Sequence, residues 1–211
     1  AITCDNNTKT LILNKNKFNL SKNFFINKYK IHNFEKEQLT NNLNSDYFDC
    51  SLFEYKDLLN INKNDIIVDI CAGIGFFERY SYLKNASKII CFEPDKDKFE
   101  LLRLNSHKDT ILFNADLSED YNINYLFESE LINKIDLLKI DNKGQEEQII
   151  KDIVDTNLKN IYKISIKWYD FNELSEDKKN NIVNTYLKKG FNCLVNLHNN
   201  FSMLYFYKKK L

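Results

Sequence analysis

The sequence predicts an α/β protein built on a mostly parallel sheet that an antiparallel hairpin closes at its C-terminal end. Three observations indicate this fold. From about residue 64 onward, short apolar runs alternate with helical patterns. The apolar run 66–70 leads through a small-residue turn, 71–75, into a helical pattern. Finally, Asn200 lies in an Asn-Asn turn between the last two apolar runs, and such turn residues join antiparallel strands.

The composition indicates a folded domain of ordinary size. The chain has 211 residues, of which 43% are hydrophobic and 14% aromatic, and this content disfavours a disordered chain. Lys plus Arg and Asp plus Glu both number 30, so the formal net charge is zero. This balance disfavours a nucleic-acid partner bound by overall charge, although it leaves room for a local basic patch.

The cysteines, the apolar runs and the N-terminus indicate in which cellular compartment the protein is expected. The five cysteines are scattered without a CxxC pair, which favours free thiols in a reducing, cytoplasmic compartment over a zinc site or a disulfide framework. We therefore expect no metal. No apolar run approaches the roughly 20 residues that a membrane span needs, so no membrane partner is expected. The N-terminus lacks the pattern of a signal peptide.

Residues 1–60 are expected to form an N-terminal extension. Apolar pulses at 11–13, 18–20 and 24–26 indicate extended segments, and the spacing of apolar residues over 34–59 indicates mostly helix. Two interpretations stay open for this extension. It is either a cap over a substrate site or a helical layer packed on the sheet.

Residues 61–211 are expected to form the main domain. We expect strands over 66–70, 88–92, 110–114, 135–140, 161–167, 191–197 and 202–207. We expect helices over 75–83, 96–105, 122–133, 146–158 and 177–189. Pro94 ends the second of these strands, Asp95 can cap the helix that follows, and Gly190 ends the last helix.

The turn after the first strand of this domain is the first candidate ligand site. Asp69 is followed by a small-residue turn in which glycines let the backbone approach a ligand closely. A dinucleotide fingerprint would require glycine at 71, 73 and 76, where this chain has Cys71, Gly73 and Phe76. The turn therefore disfavours a nicotinamide dinucleotide. An ordinary strand-to-helix turn is the alternative.

Glu93 ends the next strand, about 20 residues further on, as a strand–helix–strand crossover requires. A carboxylate at this position can accept hydrogen bonds from both hydroxyls of a ribose. The alternative for Glu93 is a capping acid beside Pro94. Together with Asp69 and the turn, Glu93 favours a ribose site.

The fourth strand and its turn carry the most specific pattern, Leu137 to Glu146, which reads LLKIDNKGQE. With the turn at 69–75 and Phe92-Glu93-Pro94-Asp95, this stretch resembles the FkbM-type S-adenosylmethionine-dependent methyltransferases over about residues 60–170. The resemblance implies a Rossmann-like, seven-stranded class I methyltransferase sheet and S-adenosylmethionine as cofactor. It also implies O-methylation of a carbohydrate or similar small hydroxylated acceptor, such as a sugar or glycan precursor.

The resemblance also implies roles for individual residues. The residues expected to bind the cofactor are Asp69, Cys71, Ala72, Gly73 and Gly75 along its methionine portion, Glu93 and Pro94 at its ribose, and Asp116 at its adenine. Cys71 stands where relatives usually have the first glycine. Asp141 is expected to orient or deprotonate the acceptor hydroxyl, with Lys139 beside it in the catalytic site. A structural salt bridge or a helix cap is the alternative for both.

The chain departs from the family at two strand ends. Lys143 and Lys167 stand where relatives have acidic residues. One hypothesis is that both lysines hold an anionic acceptor, with Trp168 stacking on a sugar face. For Trp168, packing in the core is the alternative. At the level of the whole protein, the alternatives are a domain that binds the cofactor without catalysis and, less favoured because of the neutral charge, an RNA methyltransferase. The sequence leaves the oligomeric state open.

Overall fold

The computed structural model describes residues 9–13, 16–20, 59–117, 122–155, 158–198 and 200–208. The chain divides into two compact units, Ala1–Phe48 and Asp49–Leu211. The expected boundary between residues 60 and 61 stays a prediction.

The first unit contains an antiparallel pair of strands. Strand β1 spans Lys9–Leu13 and strand β2 spans Asn16–Leu20, with Lys9 opposite Leu20 and Leu13 opposite Asn16. These strands contain the predicted extended segments 11–13 and 18–20. The predicted segment 24–26 and the helical stretch 34–59, apart from its last residue, lie outside the described residues.

The second unit is organised around a seven-stranded sheet, which confirms the predicted fold. Its strands are β3 (Ile66–Ile70), β4 (Lys88–Phe92), β5 (Ile111–Phe113), β6 (Leu137–Ile140), β7 (Lys163–Trp168), β8 (Asn192–Leu197) and β9 (Ser202–Tyr207). Their order in the sheet is β5-β4-β3-β6-β7-β9-β8. The first five are parallel, and β9 runs antiparallel to both β7 and β8, as the predicted C-terminal hairpin requires.

Helices connect the parallel strands. They are α1 (Phe76–Leu83), α2 (Lys96–Asn105), α3 (Ile123–Glu128), α4 (Glu146–Asp155) and α5 (Glu176–Lys188). The predicted cap at Asp95 is confirmed, because its side chain accepts a hydrogen bond from the Lys98 N–H at 2.9 Å. Gly190 follows α5 with a φ of 86°, a left-handed conformation that favours glycine after a helix end.

Helix α3 is shorter than the predicted 122–133. Asn122 caps its start by accepting a hydrogen bond from the Tyr125 N–H. The helix ends at Glu128, and Glu130 then adopts a positive φ of 58°, which turns the chain out of the helical path. The apolar spacing continues beyond this turn because Leu131 and Ile132 pack on the core without being helical. Periodicity alone therefore overestimated the length of this helix.

The core follows the central strands. Every residue of β6 and of β7 is buried, which matches the near-continuous apolar runs expected of parallel strands covered on both faces. One connected cluster of buried side chains runs from Val68 and Ile90 through Leu138 and Ile164 to Phe206. Among the described helices, none combines the length and apolar character needed for a bilayer crossing.

The strand order reverses direction beside β3, which lies between β4 and β6. In open α/β sheets, the crevice outside the carboxyl ends of the strands at such a reversal is where ligands bind. This edge of the sheet carries the turn after β3 and the acidic residues after β4 and β6.

Candidate functional site

The residues predicted to bind a cofactor meet at one edge of the sheet. Strands β5, β4, β3 and β6 are parallel neighbours, so their carboxyl ends lie side by side. Cys71 follows β3, Glu93 follows β4, Asp116 comes three residues after β5, and Asp141 follows β6. The site is therefore assembled from four separate strand ends, and the sheet topology brings them together.

The turn after β3 alternates between ordinary and left-handed backbone. Cys71, Gly73 and Gly75 have positive φ values of 57°, 61° and 96°. Ala72, between the first two, donates its N–H to the Phe92 carbonyl at 2.9 Å and so ties the turn to the end of β4. Glycine takes a left-handed conformation without strain, whereas Cys71 carries a Cβ in a region that disfavours it.

The two glycines of this turn have different surroundings. A Cβ built on Gly75 would lie 3.0 Å from Leu102 Cδ1, so this glycine lets α1 and α2 pack closely. A Cβ built on Gly73 would meet no atom of the described residues within 4 Å. Space for a ligand therefore lies over Gly73, where the backbone is bare.

Glu93, at the end of the neighbouring strand β4, forms a hydrogen bond with the turn. Its Oε2 accepts a hydrogen bond from the Gly73 N–H at 2.7 Å, and its Oε1 accepts one from the Asp95 N–H at 3.0 Å. Glu93 is buried, and burial raises the pKa of its carboxyl, although the two N–H donors oppose this. Each oxygen keeps a second lone pair, so the carboxylate can still accept hydrogen bonds from a ligand. Pro94 itself is exposed.

Asp116 is joined to the loop that follows β6. Its Oδ1 accepts hydrogen bonds from the Leu117 N–H at 2.9 Å and from Asn142 Nδ2 at 3.1 Å. The same amide nitrogen of Asn142 donates to Gln145 Oε1 at 2.9 Å. The acid expected at the adenine is thus held in place by an amide from a different strand end.

Lys139 and Asp69 form a buried ion pair. The Lys139 ammonium lies 2.8 Å from Asp69 Oδ1 and donates to the Cys71 carbonyl at 3.1 Å. Burial alone would lower the pKa of Lys139, but the carboxylates of Asp69 and Asp141 outweigh it and raise that pKa above its usual range. A lysine that keeps its proton cannot act as a base. These contacts favour the structural salt bridge that the sequence left open for Lys139.

One carboxylate oxygen of Asp69 is buried without a hydrogen-bond donor among the described residues. Its side chain is completely buried, and Oδ2 has no hydrogen-bond partner in the described part of the chain. A buried acceptor left unsatisfied is costly, and such atoms are expected to meet a donor in the functional complex.

Asp141 is bonded to a tyrosine from the neighbouring strand end. The Tyr169 hydroxyl, one residue after β7, donates to Asp141 Oδ1 at 3.1 Å. Burial and the Asp141 carboxylate raise the pKa of Tyr169 to about 12, although the hydrogen-bonded Lys167 ammonium opposes this. Tyr169 therefore stays protonated at neutral pH and remains the donor to Asp141.

Both predicted substrate lysines lie beside Tyr169. The Lys143 ammonium is 5.3 Å and the Lys167 ammonium 5.5 Å from the centre of the Tyr169 ring. The Lys167 ammonium is also 4.8 Å from the centre of the Phe201 ring, which follows the hairpin turn. The structure thus brings Lys143 and Lys167 to the same aromatic side chain, next to Asp141.

The side chain of Trp168 lies in the hydrophobic core and not beside Tyr169 and the two lysines. Its side chain is 4% exposed and belongs to the hydrophobic core, 5.4 Å from the ring of Phe171. This position favours the packing interpretation that the sequence left open. Because side chains alternate along a strand, Lys167 and Tyr169 share a face that Trp168 does not.

The site contains residues to which the sequence assigned no hydrogen-bonding or charge-contact role, although Tyr169 was a candidate for stacking on the acceptor. Asn142 contacts Asp116, Tyr169 contacts Asp141, and Phe201 contacts Lys167. Glu146 accepts hydrogen bonds from the Gly144 N–H at 2.7 Å and the Tyr169 N–H at 3.2 Å, which fixes the loops after β6 and β7 to each other. These residues could have been selected from the sequence because they lie in loops next to the ends of predicted strands, where ligands bind in such sheets.

The surroundings of Cys71 disfavour nucleophilic catalysis by its thiol. Burial, together with the nearby carboxylates of Glu93, Asp116 and Asp69, raises the pKa of the Cys71 thiol to about 12, although Lys139 opposes this. Cys71 therefore carries no thiolate at neutral pH and is a poor nucleophile. Within the described residues, no group of three or more His, Cys, Asp or Glu side chains is arranged to hold a metal ion.

Comparisons with known proteins bear on the fold. No family model matches the chain, and no curated protein matches it. Among solved structures, TrmK from M. capricolum, in complex with S-adenosyl-homocysteine, has a TM-score of 0.52 and 14% sequence identity, covering 71% of this chain and 65% of that chain. The chain thus spans less than two thirds of the length of TrmK.

A second solved structure has a similar likeness. Precorrin-6y C5,15-methyltransferase from Geobacter metallireducens has a TM-score of 0.50 and 15% identity, covering 72% of this chain and 84% of that chain. At 14% and 15% sequence identity, the similarity to these two structures shows a shared fold and no more. The mostly parallel sheet with one antiparallel strand is shared with methyltransferases.

Proposed function

We propose that this protein is an S-adenosylmethionine-dependent methyltransferase. The observation that carries the proposal is the turn after β3, where Cys71, Gly73 and Gly75 alternate in left-handed backbone and open space lies over Gly73. The site lies where an open α/β sheet binds ligands. The fold shared with TrmK, whose structure holds S-adenosyl-homocysteine, supports the same cofactor.

The residues present fit this cofactor. Glu93, buried and already accepting the Gly73 N–H, offers acceptor positions for ribose hydroxyls. Asp116 and Asn142, linked at 3.1 Å, would border the adenine. Asp69 Oδ2, which has no hydrogen-bond partner among the described residues and lies close to the turn, would meet a donor from the methionine portion.

Within this class, we infer that the chain is an O-methyltransferase of the FkbM type acting on a carbohydrate or similar small hydroxylated molecule. The sequence from Lys139 to Asp141 and the buried Glu146 after it support this inference. When bound, S-adenosylmethionine supplies an electrophilic methyl group on a sulfonium. A hydroxyl acceptor must lose its proton as it attacks, and Asp141, at the end of β6, would take that proton.

The chain's own residues prepare Asp141 for this role. The Tyr169 hydroxyl donates to Oδ1 and so fixes the orientation of the carboxylate, while Glu146 fixes the backbone of Tyr169. Positioning of the acceptor in line with the methyl group can supply much of the acceleration. Lys139 would act indirectly, by holding Asp69 and the Cys71 carbonyl beneath the turn.

Isothermal titration calorimetry tests the cofactor directly. We expect S-adenosylmethionine and S-adenosyl-homocysteine to bind with 1:1 stoichiometry. NAD, which contains the same adenosine ribose but lacks the methionine portion, is the matched control and should bind much more weakly. If neither S-adenosylmethionine nor S-adenosyl-homocysteine binds, the proposal fails.

Transfer of a labelled methyl group to a panel of sugars and sugar derivatives tests the reaction. Replacing Asp141→Asn should lower transfer by about 10²- to 10⁴-fold, the usual contribution of a positioned general base, while cofactor affinity stays unchanged. Cofactor binding without transfer to any acceptor would instead favour a module that binds S-adenosylmethionine without catalysis. Transfer to RNA alone would favour the nucleic-acid alternative, to which the zero net charge lends no support.

A further inference from the structure

One hydrogen bond joins two loops that start far apart in the sheet. Asn142 Nδ2, in the loop after β6, donates to Asp116 Oδ1, in the loop after β5, at 3.1 Å. Strands β3 and β4 lie between β6 and β5, and with about 4.8 Å between neighbouring strands the two loops begin about 14 Å apart. The two side chains therefore meet beyond the carboxyl ends of β3 and β4, so the bond spans the cleft proposed for the cofactor.

The amide of Asn142 is fixed by acceptors from two different loops. The side chain is 9% exposed, and its nitrogen donates to Asp116 Oδ1 and also to Gln145 Oε1, the latter at 2.9 Å. Its main-chain carbonyl accepts the Gln145 N–H at 3.2 Å. An amide nitrogen carries two N–H groups, so both acceptors are satisfied at once. The reversed amide would place an oxygen against two oxygens, so only one orientation of Asn142 forms these bonds.

The carboxylate of Asp116 has room for Asn142 and for a ligand at the same time. Its Oδ1 accepts from the Leu117 N–H and from Asn142, whereas no described residue donates to its Oδ2. The adenine amino group, expected at this acid, would donate to Oδ2 while the bond to Asn142 persists. Asp116 is half-buried, so water competes for its hydrogen bonds when no ligand covers it.

Asn142 directly follows Asp141, the proposed base. The Asp141 N–H donates to the Ile70 carbonyl at 3.2 Å, which continues the ladder between β3 and β6 by one residue. On the acceptor side, the Asp141 carboxylate accepts from the Tyr169 hydroxyl. The loop that carries the base is thus held by Tyr169 on one side and by Asp116 on the other.

We propose that Asn142 is a positioning residue that couples the adenine end of the cofactor to the acceptor site. This role rests on the proposed function, because it concerns the regulation of that same site. An adenine ring lying against Asp116 and Asn142 excludes water from their hydrogen bond, and a hydrogen bond is stronger where the local dielectric constant is low. The cofactor therefore binds best to the state in which this bond is made, and the difference in affinity shifts the loop toward that state.

The coupling sets an order of binding. Asp141 reaches its working position only when the adenine covers the bond between Asn142 and Asp116, so the cofactor binds before the acceptor. By linkage, a bound acceptor raises the affinity for the cofactor by the same factor as the cofactor raises the affinity for the acceptor. The amino group of the base is essential to this effect, because it holds the ring against Asp116 Oδ2.

Amide hydrogen exchange, measured by NMR, tests the coupling without knowledge of the acceptor, because the Asp141 N–H exchanges when its loop opens. Two ligands that differ only in the base are compared. They are S-adenosyl-homocysteine and its purine analogue, in which a hydrogen atom replaces the amino group. Each ligand is used at the same ratio of free concentration to its own Kd, so that both stabilise the whole fold equally.

The expected result is a difference at the loop that carries the base. Exchange at Asp141 should be about 5-fold slower or more with S-adenosyl-homocysteine than with the purine analogue, in the range of typical couplings between sites. The Ser129 N–H, which donates to the Tyr125 carbonyl at the end of α3, is the internal control and should exchange equally with both ligands.

Asn142→Ala removes the amide that links the two loops. In this variant the two ligands should give equal exchange at Asp141, whereas a purely structural role would speed exchange with both ligands and leave their ratio unchanged. Gln148→Ala is the matched control, because Gln148 is an exposed amide on α4 that donates to Asp152 Oδ1 at 2.8 Å. Its loss should leave the wild-type ratio. The comparison of ligands in the wild type needs no variant, so it decides the outcome even if Asn142→Ala does not fold.

Failure of the coupling and failure of the proposed function give different results. Equal exchange at Asp141 with both ligands in the wild type, or an unchanged ratio in Asn142→Ala, would overturn the positioning role. The methyltransferase proposal would then stand, because S-adenosyl-homocysteine is bound in these measurements. If S-adenosyl-homocysteine does not bind at all, the proposed function fails and the positioning role fails with it.

Discussion

The ammonium of Lys139 lies 2.8 Å from Asp69 Oδ1, and the two side chains are 5% and 0% exposed. The two residues are direct partners in the ladder between β3 and β6, the strands beside the reversal of strand order. Lys139 also donates to the Cys71 carbonyl, so one cation holds both the strand end and the first residue of the turn. The candidate cofactor site therefore depends on a buried ion pair beneath it.

Lys139→Met should destabilise the protein strongly. Removing one partner of a buried pair leaves the other charge without compensation, which typically costs about 3–5 kcal/mol in the free energy of unfolding. The double variant Asp69→Asn/Lys139→Met should lose less than the sum of the two single variants, because neither charge is then left alone. Urea unfolding, followed by circular dichroism, measures these differences.

Lys151→Met is the matched control for this experiment. Lys151 and Glu147 form an ion pair at 2.8 Å, but the two side chains are 64% and 32% exposed. Exposed pairs contribute about 0.2–1 kcal/mol, so this variant should be nearly neutral. If Lys139→Met is as harmless as Lys151→Met, the buried pair does not support the site.

A second prediction concerns the left-handed backbone at Cys71, which has a φ of 57°. Cys71→Gly removes the Cβ that this conformation disfavours, whereas Cys71→Ala removes the thiol but keeps the Cβ. We therefore expect the glycine variant to be more stable than the alanine variant by about 1 kcal/mol, measured by urea unfolding. The comparison with alanine separates backbone strain from the packing of the sulfur.

The same pair of variants tests the cofactor site. Calorimetry with S-adenosyl-homocysteine should show that Cys71→Gly binds as tightly as the wild type or more tightly, because the turn can then approach the ligand without a side chain. A large loss of affinity in the glycine variant would mean that the loop holds its ligand differently from the close backbone approach that we propose.

Local patterns predicted the strand ends and the turn correctly. Glycine spacing after Asp69 indicates a turn because few other residues adopt a left-handed backbone conformation without strain. Such a turn is determined by the few residues that form it, so the local sequence is enough to predict it. The cap at Asp95 and the hairpin after β8 are local in the same way. Apolar runs placed all seven strands of the sheet. The pattern is clearest for β3, β4, β6 and β7, because these parallel strands are buried on both faces.

Contacts between distant segments were not predictable from such patterns. The bond from Tyr169 to Asp141 joins residues 28 positions apart, and the bond from Asn142 to Asp116 joins residues 26 apart. No periodicity links such residues, and only the order of strands in the sheet brings them together. Lys167 and Trp168 were both predicted from the sequence to contact the acceptor. Neighbouring residues in a strand point to opposite faces of the sheet, so the two side chains cannot both lie on the side of the acceptor.

A third prediction concerns Glu93, whose carboxylate accepts two backbone N–H groups and faces the proposed ribose site. Glu93→Gln keeps the shape but removes the charge and replaces one acceptor oxygen with a donor. Hydrogen bonds to charged groups contribute about 1.5–3 kcal/mol, so affinity for S-adenosyl-homocysteine should fall about tenfold or more. Calorimetry measures this affinity.

Glu100→Gln is the control for Glu93. Glu100 lies on α2 and pairs with Arg103 at 3.0 Å at the surface, so its loss should leave cofactor affinity unchanged. Unchanged affinity in Glu93→Gln as well would remove the ribose role from this carboxylate.

A fourth prediction concerns Glu78, a fully buried carboxyl on α1. Its Oε1 accepts the His107 N–H at 3.0 Å and the Thr110 hydroxyl at 2.5 Å, while Oε2 has no hydrogen-bond partner in the described part of the chain. Burial raises the pKa of Glu78 above its usual 4.5, and the hydrogen bonds from Thr110 and His107 only partly oppose this. Folding therefore favours the protonated form of Glu78 relative to the unfolded chain.

The sign of the pH dependence follows from this direction. Between 4.5 and the raised pKa, the folded protein binds more protons at Glu78 than the unfolded chain does. The contribution of Glu78 to stability is therefore fully present below pH 4.5 and is lost as the pH rises through the raised pKa. Glu78→Gln cannot titrate, so the free energy of unfolding of the wild type minus that of the variant should decrease with rising pH across this window. Urea unfolding of both proteins at a series of pH values measures the difference, and two parallel profiles would show that Glu78 is not the buried acid that the geometry indicates.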